Sequence, residues 1–134
     1  MNRYLLDTNV CIEYLRGKNQ RLIGRIRTQR PRQIRLCSVV IGELFHGAYR
    51  SPDPDANLKV VTELTDTFIS FSFDDRAAEV FGQLRTALEA AGSLIGPYDL
   101  QIASIAVARS LIMVTHNVGE FSRVPGLTIE DWQA

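Results

Sequence analysis

Four acidic residues stand where carboxylates could do chemistry: Asp7, Glu43, Asp99 and Glu120. Asp7 closes the apolar run Tyr4-Leu5-Leu6 and is followed at once by Thr8-Asn9. Asp99 lies just inside a helix start, Gly96-Pro97-Tyr98-Asp99, and Glu120 follows the apolar segment Ile112-Met113-Val114 after a short loop. Carboxylates at the carboxyl ends of parallel strands and at helix starts converge on one crevice in an α/β sheet. Such a cluster repels itself unless a hard divalent cation holds it together. The pattern therefore points to a metal site, and to an enzyme acting on phosphates.

Each position also has a blander explanation. A single Asp or Glu is most often a solvated surface residue. Asp7 or Asn9 would serve as a helix N-cap. Asp99 sits in a first helical turn behind Pro97, where the helix dipole alone favours an anion. Glu43 is harder to dismiss, because Val39, Val40, Ile41, Leu44 and Phe45 surround it with apolar neighbours and Glu is rarely buried unpaired. Thr8, Asn9, Thr115 and Asn117 flank the acids and can orient them through side-chain hydrogen bonds. His116 stands beside the candidate site as a substrate contact or a plain loop residue, and His46 reads as solvated or packed. No GxSxG, CxxC or glycine-rich phosphate loop is present, so nucleophile-elbow and P-loop chemistry have no footing.

Strand-like and helix-like segments alternate, which predicts one α/β domain over residues 1–134, with a mostly parallel sheet of four to five strands flanked by helices. The strands fall at Arg3–Leu6, Ile34–Cys37, Phe68–Phe73, Leu111–Thr115 and, as a short edge, Thr128–Glu130. Helices are expected from about Asn9 to Leu15 with Gly17 as stop signal, and over Gln20–Gln29, ending before Pro31. Another spans Val39–Tyr49, capped by Ser38, and another runs from Ala56 to about Asp66, with Asp55 as a possible cap. Arg76–Ala91 follows Asp74 with Ala77, Val80, Phe81, Leu84 and Leu88 on one face. Pro97 opens a last long helix whose Ile102, Ala103, Ile105 and Ala106 should be buried.

The 134 residues suffice for one real core, and 46% hydrophobic content suits a globular protein. No apolar run approaches the roughly 20 residues of a membrane span, and the N-terminus lacks the pattern of a signal peptide. Cys11 and Cys37 have no CxxC or clustered His beside them, so buried free thiols in a cytoplasmic protein are expected. Net charge is zero, yet eight of the fifteen Lys and Arg lie between Arg16 and Arg35 with no acid among them. Within that run Arg16, Arg21, Arg25 and Arg27 are candidate RNA contacts, since Arg suits phosphate recognition; a solvated helix face is the plain alternative.

The segments "LLDTNV", "SVVIGELFHGA", "IGPYDLQIA" and "VTHNVGEF" occur in this order, with "EDW" near the C-terminus. Together they resemble the PIN-domain family, and within it the VapC toxins of bacterial type II toxin–antitoxin modules, over essentially the whole chain. The resemblance implies an endoribonuclease in which Asp7, Glu43 and Asp99 are the core ligands of Mg²⁺, with Mn²⁺ as a substitute. Where some PIN domains carry a further Asp the chain has Asn117, and Glu120 supplies the nearest acid. It also implies an RNA substrate, a tRNA anticodon loop foremost, and a cognate VapB-type antitoxin. Apolar residues on the early helices add the expectation of a homodimer. A catalytically silent PIN module that only binds RNA or a partner is the alternative, and the intact acidic trio argues against it. A haloacid-dehalogenase-type phosphatase would want Asp where Asn9 stands. A phospho-receiver domain would want a Lys after a late strand, and the two lysines are Lys18 and Lys59.

Overall fold

A short apolar run organises the molecule. Tyr4–Leu6 forms β1, and all three residues are buried, as expected of a parallel strand covered on both faces. The computed structural model describes residues 2–134. After β1 come α1 (Thr8–Arg16), α2 (Gln20–Thr28), a 3-10 turn (Pro31–Gln33), β2 (Ile34–Cys37), α3 (Ser38–Tyr49), α4 (Pro54–Thr67) and β3 (Ile69–Phe71). The chain then crosses to the other half through α5 (Asp75–Ala90), α6 (Pro97–Arg109), β4 (Ile112–Val114), α7 (Val118–Phe121) and β5 (Ile129–Glu130). The strands lie in the order β3-β2-β1-β4-β5, and every neighbouring pair is parallel. Among the described residues the expected α/β domain is present, with five strands and no antiparallel edge.

This order places a topological switch point beside β1. The chain builds outward to β2 and β3 on one side, then returns to build β4 and β5 on the other. Ligand sites in such sheets open beyond the carboxyl ends of the strands where the order reverses. Asp7 and Thr115, one residue past β1 and β4, stand at that opening. Registers Leu5↔Met113 and Leu6↔Val114 and the Asp7 N–H donating to the Val114 carbonyl at 3.1 Å hold the two ends level.

Leu5, Leu6, Ile34, Leu36, Met113 and Val114 have no exposed surface. Helix α6 is buried nearly all round, and its Ala103 and Ala106 let it lie close against its neighbours. The Ser104 hydroxyl, buried within that helix, donates to the Leu100 carbonyl at 2.6 Å. At the far end Trp132 plugs the core, its ring edge-on to Tyr4 with centroids 4.8 Å apart. Its indole N–H donates to Glu130 at 2.9 Å.

Several boundaries move for identifiable reasons. Helix α1 starts at Thr8 because Asp7 itself is the N-cap. Ser38 is not a cap: β2 runs straight into α3, with Cys37 in the extended cap conformation and Ser38 as the first helical residue. Asp53, not Asp55, accepts from the Ala56 N–H, since Pro54 takes the first helical position. The third strand shrinks to three residues because Ser72 and Phe73 turn off toward the Asp74 cap. Cys11 and Cys37 are buried free thiols, and burial pushes the Cys37 thiol up to about 11.

Candidate active site

Asp7 is both a cap and a site residue. One carboxylate oxygen accepts from the Val10 N–H at 2.8 Å, the group is 4% exposed, and a second hydrogen bond comes from Thr115. Burial, the largest effect, raises its pKa above the ordinary value; Glu43 adds to the rise, while Thr115, Val10 and His116 oppose it. Thr115 is fully buried, and its hydroxyl oxygen also accepts from the Asn117 N–H at 3.0 Å. The loop after β4 is thus tied to the same point.

Glu43 reaches this crevice from α3, where the Thr8 hydroxyl donates to it at 2.6 Å. Asp99 enters from the first turn of α6. Its carboxyl is pushed up to about 7, chiefly by burial, then by a hydrogen bond with Glu120 and the charges of Glu120, Glu43 and Asp7. Glu120 sits on the single-turn helix α7 rather than in an open loop. One of its oxygens accepts from the Gly96 N–H at 3.2 Å and the other from the Asn117 amide at 2.7 Å. A Cβ on Gly96 would lie 3.8 Å from both Asp99 Oδ2 and Glu120 Oε1, so the backbone there comes close to both acids.

The four acids named from the sequence therefore share one electrostatic site, with Thr8, Thr115 and Asn117 bonded into it and Asn9 on its rim. Among the described residues no three His, Cys, Asp or Glu side chains stand as a closed metal-holding group. Repulsion keeps uncompensated carboxylates apart. The donor set nonetheless fits a hard divalent cation: it is built of carboxylates, and after burial it is the neighbouring acids that raise Asp99 to about 7.

Asp131 is the residue that the sequence did not mark. It lies 3.0 Å from Nδ1 of His116, and parallel pairing of β4 with β5 brings the two together across fifteen positions. The "EDW" segment was the available signal. A groove of about 580 Å³ opens over Thr8, Asn9, Glu43 and Tyr98. On the other side of Asn9 a cavity of about 400 Å³ reaches Arg16, His116 and Asn117.

The four candidate RNA-contacting arginines are not brought together at this crevice. Arg16 lines the second cavity, although it pairs with Glu13 at 2.6 Å. Arg25 is taken up by Glu130 at 3.1 Å and lies over the Trp132 ring at 4.8 Å. Arg21 is exposed on α2, and Arg27 borders a small cleft with Tyr14, Gln20 and Ile23.

Residues 4–127 match the PIN domain. The chain belongs to the PIN-domain family. A relative from Salmonella typhimurium, named tRNA(fMet)-specific endonuclease VapC, is 38% identical over 132 residues, covering 98% of this chain and 99% of the relative. A Ribonuclease VapC from Haemophilus influenzae is 31% identical over 132 residues, with the same coverage. The fold agrees with a solved DNA-bound VapBC from Salmonella typhimurium at a TM-score of 0.93 and 38% identity, covering 98% of this chain and 99% of that one. Within the PIN-domain family, these identities place the chain among the VapC ribonucleases, in agreement with the motif resemblance.

Proposed function

We propose that this PIN-domain protein is a Mg²⁺-dependent endoribonuclease, the toxin of a type II toxin–antitoxin module, which hydrolyses phosphodiester bonds in RNA. The observation that carries the reading is the convergence of Asp7, Glu43, Asp99 and Glu120 at the switch point of the sheet. Asp7, Glu43 and Asp99 would hold the cation. When bound, Mg²⁺ (or Mn²⁺) supplies positive charge to the phosphodiester and lowers the pKa of an attacking water. Thr8 keeps Glu43 turned into the crevice. Asn117 and the Gly96 N–H hold Glu120 where it can take the proton the attacking water loses. No side-chain nucleophile is required.

The relatives' names extend this reading to a tRNA substrate and a VapB-type antitoxin. An RNA loop suits the site because an open backbone can bend into a crevice that a duplex cannot enter. For the antitoxin, an apolar groove of about 500 Å³ between α1, α3 and α4, lined by Ile12, Leu15, Leu44 and Val60, borders Glu43. An antitoxin segment lying there would place an Arg or Lys on the acids. A homodimer belongs to the same proposal. Ile23, Ile26 and Leu44 are consumed by the monomer core, while Tyr49 remains 67% exposed and Ile12, Tyr14, Leu15 and Phe45 are half-buried.

The test is incubation of the purified chain with deproteinised tRNA and Mg²⁺, with 5′-end mapping of the products. The reading predicts cleavage at a discrete loop position, abolished by EDTA. Intact tRNA, or cleavage that survives EDTA, overturns it.

A further inference from the structure

His116 has no structural duty that explains its geometry. Its side chain is 63% exposed, yet Nδ1 is gripped by both oxygens of Asp131 at 3.0 and 3.2 Å. Asp131 is in turn fixed by the Gln133 N–H at 3.0 Å, and the intervening Trp132 is buried in the core. A carboxylate only accepts, so in its neutral form the imidazole carries its hydrogen on Nδ1 and Nε2 is then an oriented acceptor. The ring lines the cavity of about 400 Å³ with Asn9, Arg16 and Asn117. Asn9 also borders the groove over Glu43, and Asn117 holds Glu120, so this cavity and the acidic crevice are contiguous. Asn9, Asn117 and Arg16 bring N–H donors that suit a phosphate or a base edge, with Arg16 paired to Glu13 on the same wall. His116 adds a ring acceptor held in a fixed orientation by Asp131.

We propose that this cavity is a ribose subsite: His116, positioned by Asp131, accepts a hydrogen bond from the 2′-hydroxyl of a nucleotide next to the cleaved phosphate. The subsite rests on the endoribonuclease reading above and adds a basis for choosing RNA over DNA, since the 2′-hydroxyl is what distinguishes the two at a given position. His116 is then a binding residue and Asp131 a positioning residue. Because water is the nucleophile, removing a 2′-hydroxyl leaves the bond-breaking chemistry intact and reports on recognition alone.

The experiment uses the full chain with Mg²⁺ and an RNA oligonucleotide carrying the mapped cleavage loop, with single 2′-deoxy substitutions at each flanking nucleotide. Wild type, His116→Ala and Asp131→Ala are compared, with circular dichroism melts to show that each variant folds. In wild type one deoxy position should lower kcat/KM by roughly fivefold to tenfold, the scale of one hydrogen bond. His116→Ala should show the same loss on all-ribose substrate, mainly in KM, and no further loss at that position. Asp131→Ala should lie in between, because the ring is present but unoriented. An equal deoxy penalty in wild type and His116→Ala overturns the assignment, as does an unchanged kcat/KM in His116→Ala. Complete loss of cleavage at one deoxy position in all three proteins would make the ribose the nucleophile, and would overturn the hydrolytic reading as well.

Discussion

Replacing Asp99 with Asn should stabilise the cation-free protein above neutral pH, even though it removes a carboxylate from the centre of the site. Burial comes first and Glu120, Glu43 and Asp7 follow in pushing this carboxyl from 3.8 to about 7. A carboxyl raised in the folded state binds its proton more tightly folded than unfolded. Stability is therefore lost as pH rises from the unfolded value toward 7, and the full cost is present above it. A rise of this size corresponds to roughly 4 kcal/mol at the usual conversion, and solvent screening of a half-buried group reduces it to about 2 kcal/mol. Against this, the dipole of α6 favours the anion by roughly 0.3–1 kcal/mol. Repulsion wins. For a chain of this size the net gain is a rise in Tm of about 3–7 °C at pH 8 in EDTA. It should shrink as pH falls toward 4 and vanish below the unfolded value of 3.8, where the carboxyl is protonated in both folded and unfolded states. Thermal melts across that pH range give the answer. A variant that melts at or below wild type at pH 8, or a gap that does not change with pH, would refute the reasoning.

Thr8→Val removes the 2.6 Å bond that turns Glu43 into the crevice; Mg²⁺ affinity by calorimetry should fall roughly tenfold to a hundredfold with the fold intact, and unchanged affinity would sink this role. Trp132→Ala, which empties a fully enclosed site against Tyr4, should cost about 3–5 kcal/mol in urea unfolding; a loss below roughly 1 kcal/mol would show that the C-terminal segment is not part of the core. Val60→Glu puts a charge into the apolar groove of α1, α3 and α4, where Val60 is 38% exposed. The free protein should cleave RNA normally while its antitoxin inhibits it less, and undiminished inhibition would place the antitoxin elsewhere.

Legibility followed the range of the interactions. Asp7, Glu43 and Asp99 were readable because each breaks a local pattern: an apolar strand, an apolar helix face, a proline-led helix start. The element types were readable for the same reason. Strand order was not, because nothing in Ile112–Val114 says that it pairs with β1 rather than with β3. Asp131 was invisible for a related reason, since its partner His116 comes within reach through the β4–β5 pairing. The Arg16–Arg35 run is not one patch in three dimensions. Charges adjacent in sequence diverge around α1, α2 and the turn that follows, and Arg16 and Arg25 find acids far from, or outside, the run. The cap of α4 failed through a single residue, Pro54, which shifts the first helical position and hands the role to Asp53.

One cleavage assay tests most directly whether Asp7, Glu43 and Asp99 together hold the cation that makes this crevice a nuclease. Wild type and Asp99→Asn are given the same tRNA with Mg²⁺ or Mn²⁺, with and without EDTA, under conditions where both are folded. Loss of a ligand should exceed the roughly tenfold to hundredfold effect of losing an orienting partner, so Asp99→Asn should cleave at least about 100-fold more slowly, and EDTA should silence wild type. Equal cleavage by the two proteins, or cleavage indifferent to EDTA, would contradict it.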